Sequence, residues 1–250
     1  MDSRPNPIAT AFWTYVIPMT STRAMKVGLV LFIGFVAIVV ALFMSGLVAS
    51  GFVTSALYGM RHFLIMVAVP VAAVVLSEIP IRDGITHKTL LYPLLGPVPR
   101  MTLAVVRVVT TGAVLAIGAA LLLLLIRILL HDGMDFFPRE LLSVTLGSFA
   151  YVALFGFIHL LARRGLIAGL VILFFFDMPL GRLPFTLRNI SPSYHTGVIA
   201  GQEESMQLPI TFGAPGSSVA MSSLILICIA VFLCAAIAYF FKRKNLGDLC

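Results

Sequence analysis

Few side chains in this sequence could do chemistry, and most of them stand alone. The five histidines, His62, His87, His131, His159 and His195, fall in different segments, and no H-E-x-x-H pair sets two of them on one helical face to hold zinc. Cys228 and Cys234 share one apolar run without a metal-ligand spacing. Cys250 is the last residue, so it is not a prenylation motif, and the cysteines make no disulfide framework. No G-x-x-x-x-G-K-[ST] loop occurs, so the chain has no P-loop to cradle a nucleotide. Glu203 and Glu204 pair two carboxylates, as some intramembrane proteases do. Those enzymes need an arginine a turn later and histidines at membrane depth on other spans. Met206, Gln207 and Leu208 follow here, so the pair reads as solvated acids. Asp177, near the end of an apolar run, could bind a cation or a substrate. At an interface, where burial costs little, it reads as structural. His159 lies inside an apolar run, where ionisable groups are expensive and functional by default. One hydrogen bond to a neighbouring helix explains it equally well.

The elements that must position these residues are membrane helices. The chain has 250 residues, is 60% hydrophobic and only 11% charged, and has a mean hydropathy of +1.08. That composition predicts an all-α polytopic membrane protein in one bundle of several spans, with no hydrophilic block large enough for a second domain. Six transmembrane helices are expected, over 27–48, 60–77, 101–130, 141–162, 166–180 and 219–241. The first follows Arg23 and Lys26 and is too long for a signal-peptide core, so it reads as an uncleaved anchor. Residues 1–26, with Phe12, Trp13 and Tyr15, suit an interfacial helix. Residues 49–59 read as a short outer loop, Pro70 should kink the second span, and 131–140 reads as an outer turn. Arg61 and His62 can snorkel to the outer interface, and Arg127 lies near the same side.

The net charge of +7 falls mainly between spans. With both termini cytoplasmic, the inner segments hold Arg4, Arg23, Lys26, Arg82, Lys88, Arg100, Arg107, Arg163, Arg164, Lys242, Arg243 and Lys244. The outer ones hold Arg61, Arg139, Arg182 and Arg188. This is the positive-inside pattern, so the charge reports topology and not nucleic-acid binding.

The segment 78–100 is charged, short and broken by prolines between two apolar runs. Ile81 and Ile85 share a helical face, as do Leu91, Leu94 and Leu95. Asp83 is an N-cap for a helix beginning near Gly84, and Pro93 should kink or end it, with Pro97 and Pro99 as a stiff exit. A short helix with one apolar and one basic face, held outside the bilayer, is suited to another protein's groove. In the outer segment 181–218, Leu183 to Ile190 and Val198 to Met206 read as half-helices joined through Pro192 and Gly197. A plain exposed loop is the competing reading.

Lys88 to Arg100, K-T-L-L-Y-P-L-L-G-P-V-P-R, resembles the cytoplasmic loop of ABC-2 type exporter permeases, on Glu78, Thr89, Leu94, Leu95, Pro97, Val98 and Arg100. The stretch Ile190-Ser191-Pro192-Ser193-Tyr194-His195 is similar to that family's I-S-P-x-Y segment between its last two spans. The ending from Phe240 to Leu246 is similar to its aromatic-basic tail. The acids of the family stand close together before Gly-Thr; here Glu78 precedes Lys88 at a distance, with Asp83 and Gly84 between.

The resemblance implies that the segment between spans two and three is a coupling helix. Arg82, Asp83, Gly84, Thr86, His87, Lys88, Thr89 and Leu91 would contact a separate P-loop ATPase subunit. That partner would hold the ATP and magnesium, and this chain would bind no cofactor and not be an enzyme itself. It also implies a second permease copy, like or unlike, short re-entrant helices in 181–218, and a bacterial inner membrane. Few charges lie in the spans, so an apolar or amphipathic cargo suits them better than a small ion. An intramembrane protease or lipid transferase would need titratable groups meeting at mid-membrane. A secondary transporter would show internal repeats, and no clear three-plus-three repeat is visible.

Overall fold

The computed structural model describes residues 34, 37–38, 41, 51–78, 99–130, 136–162, 164–183, 186–202 and 217–243. The interfacial segment 1–26, most of the expected span 27–48, Glu203 and Glu204 lie outside the described residues. So does the coupling segment with Arg82, Asp83, Gly84, Thr86, His87, Lys88, Thr89 and Leu91.

Among the described residues the secondary structure is helical and includes no strand. Helix α1 (Gly51–Phe63) continues through a π-helical segment (Leu64–Ala68) into α2 (Val69–Leu76). Next come α3 (Arg100–Leu130) and α4 (Phe137–Leu161). Helix α5 (Gly165–Val171), a second π segment (Ile172–Asp177) and α6 (Met178–Gly181) form one further apolar rod. A 3-10 turn (Thr186–Ile190) leads into α7 (Pro192–Ala200), and α8 (Val219–Arg243) closes the described fold. Four helices are long and apolar enough to cross a membrane: Leu57–Leu76, Arg100–Leu130, Phe137–Leu161 and Val219–Phe241. The Gly165–Gly181 rod is apolar but shorter.

Several boundaries differ from the sequence expectation for physical reasons. Residues 51–59, expected in a loop, continue the helix of the second span. Helix α4 starts at Phe137, with Pro138 in its first turn, so Arg139 and Glu140 belong to a helix and not to a turn. Proline acts through a wide turn in two places. Each π segment ends just before a proline, Pro70 in one case and Pro179 in the other. A proline has no N–H, and its ring crowds the carbonyl four residues earlier. Widening the preceding turn moves that carbonyl aside without breaking the helix.

The helices pack around one apolar core. Leu64, Ile65, Val69, Ala73 and Val74 meet Leu103, Val108, Leu123 and Ile126 of α3, Tyr151 and Phe155 of α4, Leu173, and Ile237 and Phe241 of α8. In lipid, association rests on close packing, since tails are as apolar as leucine. Outward-facing Phe175, Val231 and Phe232 are mostly exposed, as lipid-facing residues are. Two ends of the bundle are thereby defined. At one, Leu57 packs on Leu129 and Leu130, and Arg127 pairs with Glu140. At the other, Gly169 sits against Val74 and Phe155.

Candidate functional site: a buried polar collar around a short inner helix

Helix α7 is nine residues long and every one of them is buried. It lies within the bundle against α4 and α8, at the end where α4 and α8 begin and the 165–181 rod finishes. A polar segment can be buried there only if each backbone group finds a partner, and the sequence supplies them. Pro192 occupies the first helical position, where no N–H is needed. Gly201 follows in the left-handed region at φ 73°, which only glycine adopts without strain. The Gly201 N–H then donates to the Val198 carbonyl and the Gln202 N–H to that of Gly197, at 3.2 and 2.9 Å, closing a Schellman end. The expected half-helix from Val198 to Met206 is therefore replaced by one that ends at Ala200. Gly197 lies inside this helix and does not join two. The plain exposed loop is not what residues 191–200 form.

The N-terminus of α7 is capped from another helix. Asp177, at the end of the second π segment, is 5% exposed. Its Oδ1 accepts from the Ser193 N–H at 3.3 Å and from the Ser191 hydroxyl at 2.6 Å. Its Oδ2 accepts from the Tyr151 hydroxyl at 2.8 Å. Ser191 holds the N-cap position but does not cap with its own side chain. Its hydroxyl turns to Asp177, and the carboxyl group of Asp177 meets the orphan N–H. A carboxylate suits this place because a helix N-terminus carries positive partial charge. The Ser193 hydroxyl donates to the Asp177 carbonyl at 3.0 Å and lies 2.7 Å from the Ser191 hydroxyl. The π segment matters here. Phe174, Phe175 and Phe176 face outward while Asp177 turns in. The sequence reading placed Asp177 at an interface where burial costs little, whereas the structure seats it among hydroxyls.

The remaining faces of α7 are fastened in the same way. Ser143 of α4 donates to the Thr196 carbonyl at 2.7 Å. A Cβ on Gly147 would come within 2.9 Å of the Thr196 methyl, so the two helices approach closely there. The His195 ring is fully buried. Its Nε2 lies 2.8 Å from the Asn189 carbonyl, which can only accept, so Nε2 carries a proton. Its Nδ1 lies 3.1 Å from the Ser222 hydroxyl of α8, which is 3.0 Å from the Ser217 hydroxyl. The Ser217 N–H donates to the Tyr194 hydroxyl at 3.2 Å, and the Arg188 guanidinium sits 4.8 Å over the Tyr194 ring. Ser222, His195 and the Asn189 carbonyl have the order of nucleophile, base and orienting group. Both side chains are sealed inside the bundle, so in this arrangement they join α7 to α8.

A second cluster occupies the same end of the bundle. Arg127 and Glu140 are each 1% exposed. Glu140 Oε2 accepts from Arg127 Nε at 3.0 Å, with Arg127 Nη2 also at 3.0 Å. Arg61 approaches Glu140 Oε1 at 3.4 Å and lies 5.1 Å over the Tyr58 ring. His159, the intramembrane candidate, is buried at the other end of α4, where Gly165 packs against it. Among the described residues no group of three His, Cys, Asp or Glu is placed to hold a metal ion.

Sequence reasoning reached the Ile190–His195 stretch only through a resemblance, and it missed Ser143, Tyr151, Thr196 and Ser222. These hydroxyls share no common spacing and come from three different helices, α4, α7 and α8. One signal was available: an aspartate directly after Phe174-Phe175-Phe176 cannot face lipid on every side, so it needs an inward partner. No protein-family model matches the chain, and no curated protein matches it.

Proposed function

We propose that the chain is the membrane-spanning permease subunit of an ABC-2 type exporter. In this reading it has six spans with both termini cytoplasmic, in a bacterial inner membrane. It moves an apolar or amphipathic cargo with ATP hydrolysed by a separate P-loop subunit and works beside a second permease copy. The observation that carries the reading is α7. A short, wholly buried helix between the fifth apolar rod and the last long helix is what a re-entrant segment requires, and it is built from the residues that resemble the family's I-S-P-x-Y stretch. Two further facts support it. Four helices have membrane-crossing length. The sequence contains no P-loop, so an ATP-driven motion has to be supplied by a partner.

The mechanism follows from the segment between the second and third spans. ATP-driven closure of two partner subunits pushes on residues 83–95, and that push tilts the spans to open an outward path. The test has two arms. Purification in mild detergent, with mass spectrometry of what accompanies the chain, should recover a P-loop ATPase. Charge reversal of Arg82, Lys88 and Arg100 together should uncouple that subunit's ATP hydrolysis from transport. Purified chain that never carries a nucleotide-hydrolysing companion, or a triple variant with normal recruitment and transport, removes the proposal.

A further inference from the structure

We infer that the two π turns are a matched pair of hinges, about which α2 and α5 swing as one block while the short inner helix α7 stays seated. The turns are built alike. In each, the residue before the proline donates its N–H to the carbonyl five residues back: Val69 to Leu64, and Met178 to Leu173. Pro70 and Pro179 then offer no N–H, so one bond that would join the two halves of each helix is missing. A wide turn beside a missing bond bends easily, because the freed carbonyls re-pair by local shifts between α and π spacing. Helices α3, α4 and α8 run through without such a turn, and none has a proline beyond its first turn.

The two sides of each hinge are held differently. Toward Arg127 both broken helices are fixed. Leu57 packs on Leu129 and Leu130, and Arg61 reaches Glu140 Oε1 at 3.4 Å. Asp177 is held by Tyr151, Ser191 and Ser193, and Gly181 lies against Ser193. The first π segment packs on α7, and the second ends in the residue that caps it. Toward Gly169 the two halves hold each other. A Cβ on Gly169 would come within 2.9 Å of Val74 Cγ1, so movement of one half carries the other. Gly165 and Gly169 meet His159 and Phe155 of α4 without a side chain to interlock, and α2 lies along the same helix. The block therefore moves by sliding along α4. In sequence α2 is followed by 78–100, where the permease reading puts the partner's push. Only that source of motion rests on the reading; the hinges rest on the geometry.

Spin-label distances test this on the full chain in nanodiscs, with Cys228, Cys234 and Cys250 replaced by serine. Labels on Val75→Cys and Tyr239→Cys, both exposed positions, join the moving block to the unbroken α8. Labels on Phe63→Cys and Leu224→Cys, also exposed, join the fixed half of the second span to the same helix. Helix α2 is eight residues long. A swing of about 20° moves the far end of such a half by about 4 Å. The Val75–Tyr239 distribution should be broader than the Phe63–Leu224 one by about that amount. Pro179 lies in the other broken helix and is exposed. Pro179→Ala restores an N–H there and should narrow the Val75–Tyr239 distribution to the width of the other pair, because the block moves as one. Equal widths for the two pairs in the parent chain overturn the proposal, whatever the variant does. So does a Val75–Tyr239 distribution that stays broad in Pro179→Ala. Neither measurement needs a nucleotide or a partner, so the permease reading can fail while the hinges stand.

Discussion

Removing the carboxylate of Glu140 is the sharpest test of how this bundle is held together. Glu140 and Arg127 face each other at 3.0 Å with 1% exposure each, and Arg61 closes the other carboxylate oxygen at 3.4 Å. Truncating one member of a buried ion pair leaves a buried charge without its counter-ion, at a cost of about 3–5 kcal/mol. Glu140→Ala should lose that amount in SDS titrations of mixed micelles, followed by circular dichroism of the helices. Replacing both members is different, because neither charge has then to be taken out of water. Arg127→Met with Glu140→Leu should be neutral to about 4 kcal/mol more stable than the parent. Arg61, only partly buried, can turn its head group to the headgroup layer in that double variant. A cost below about 1 kcal/mol for Glu140→Ala is the behaviour of a solvated surface pair. That result would refute the reading that the α3–α4 junction is dry.

Two further perturbations probe the collar around α7. Tyr151→Phe removes one donor from the Asp177 carboxyl group and should cost about 1–3 kcal/mol, seen in the same titration with the fold retained by circular dichroism. Gly181→Ala puts a Cβ 2.5 Å from the Ser193 hydroxyl and 3.2 Å from that of Ser191. Overpacking there should cost about 1–3 kcal/mol and raise hydrogen exchange in 192–200 more than in α4. Equal changes in both helices would mean that the collar does not hold α7 locally.

Composition and periodicity were enough to establish a helical membrane protein, because long apolar runs admit few other structures in lipid. The run from Met101 to Leu130 became a single helix, and Val219 to Phe241 became the last one, since each has the length and uninterrupted hydrophobicity to span alone. Pro70 was also legible as a local disturbance, although not as a wide turn, whereas Pro179 was not singled out. Which polar groups meet could not be read from the sequence. Tyr151, Asp177, Ser191 and Ser222 have no common spacing, and they come together only because α4, the 165–181 rod, α8 and the short inner helix present them at one end. Hydrogen bonds across such distances depend on helix rotation and depth, and tertiary packing alone sets these. The capping of α7 by Asp177 shows the division. Pro192 and Gly201 mark where that helix starts and stops from local backbone preference, but the acid that completes it arrives from another helix.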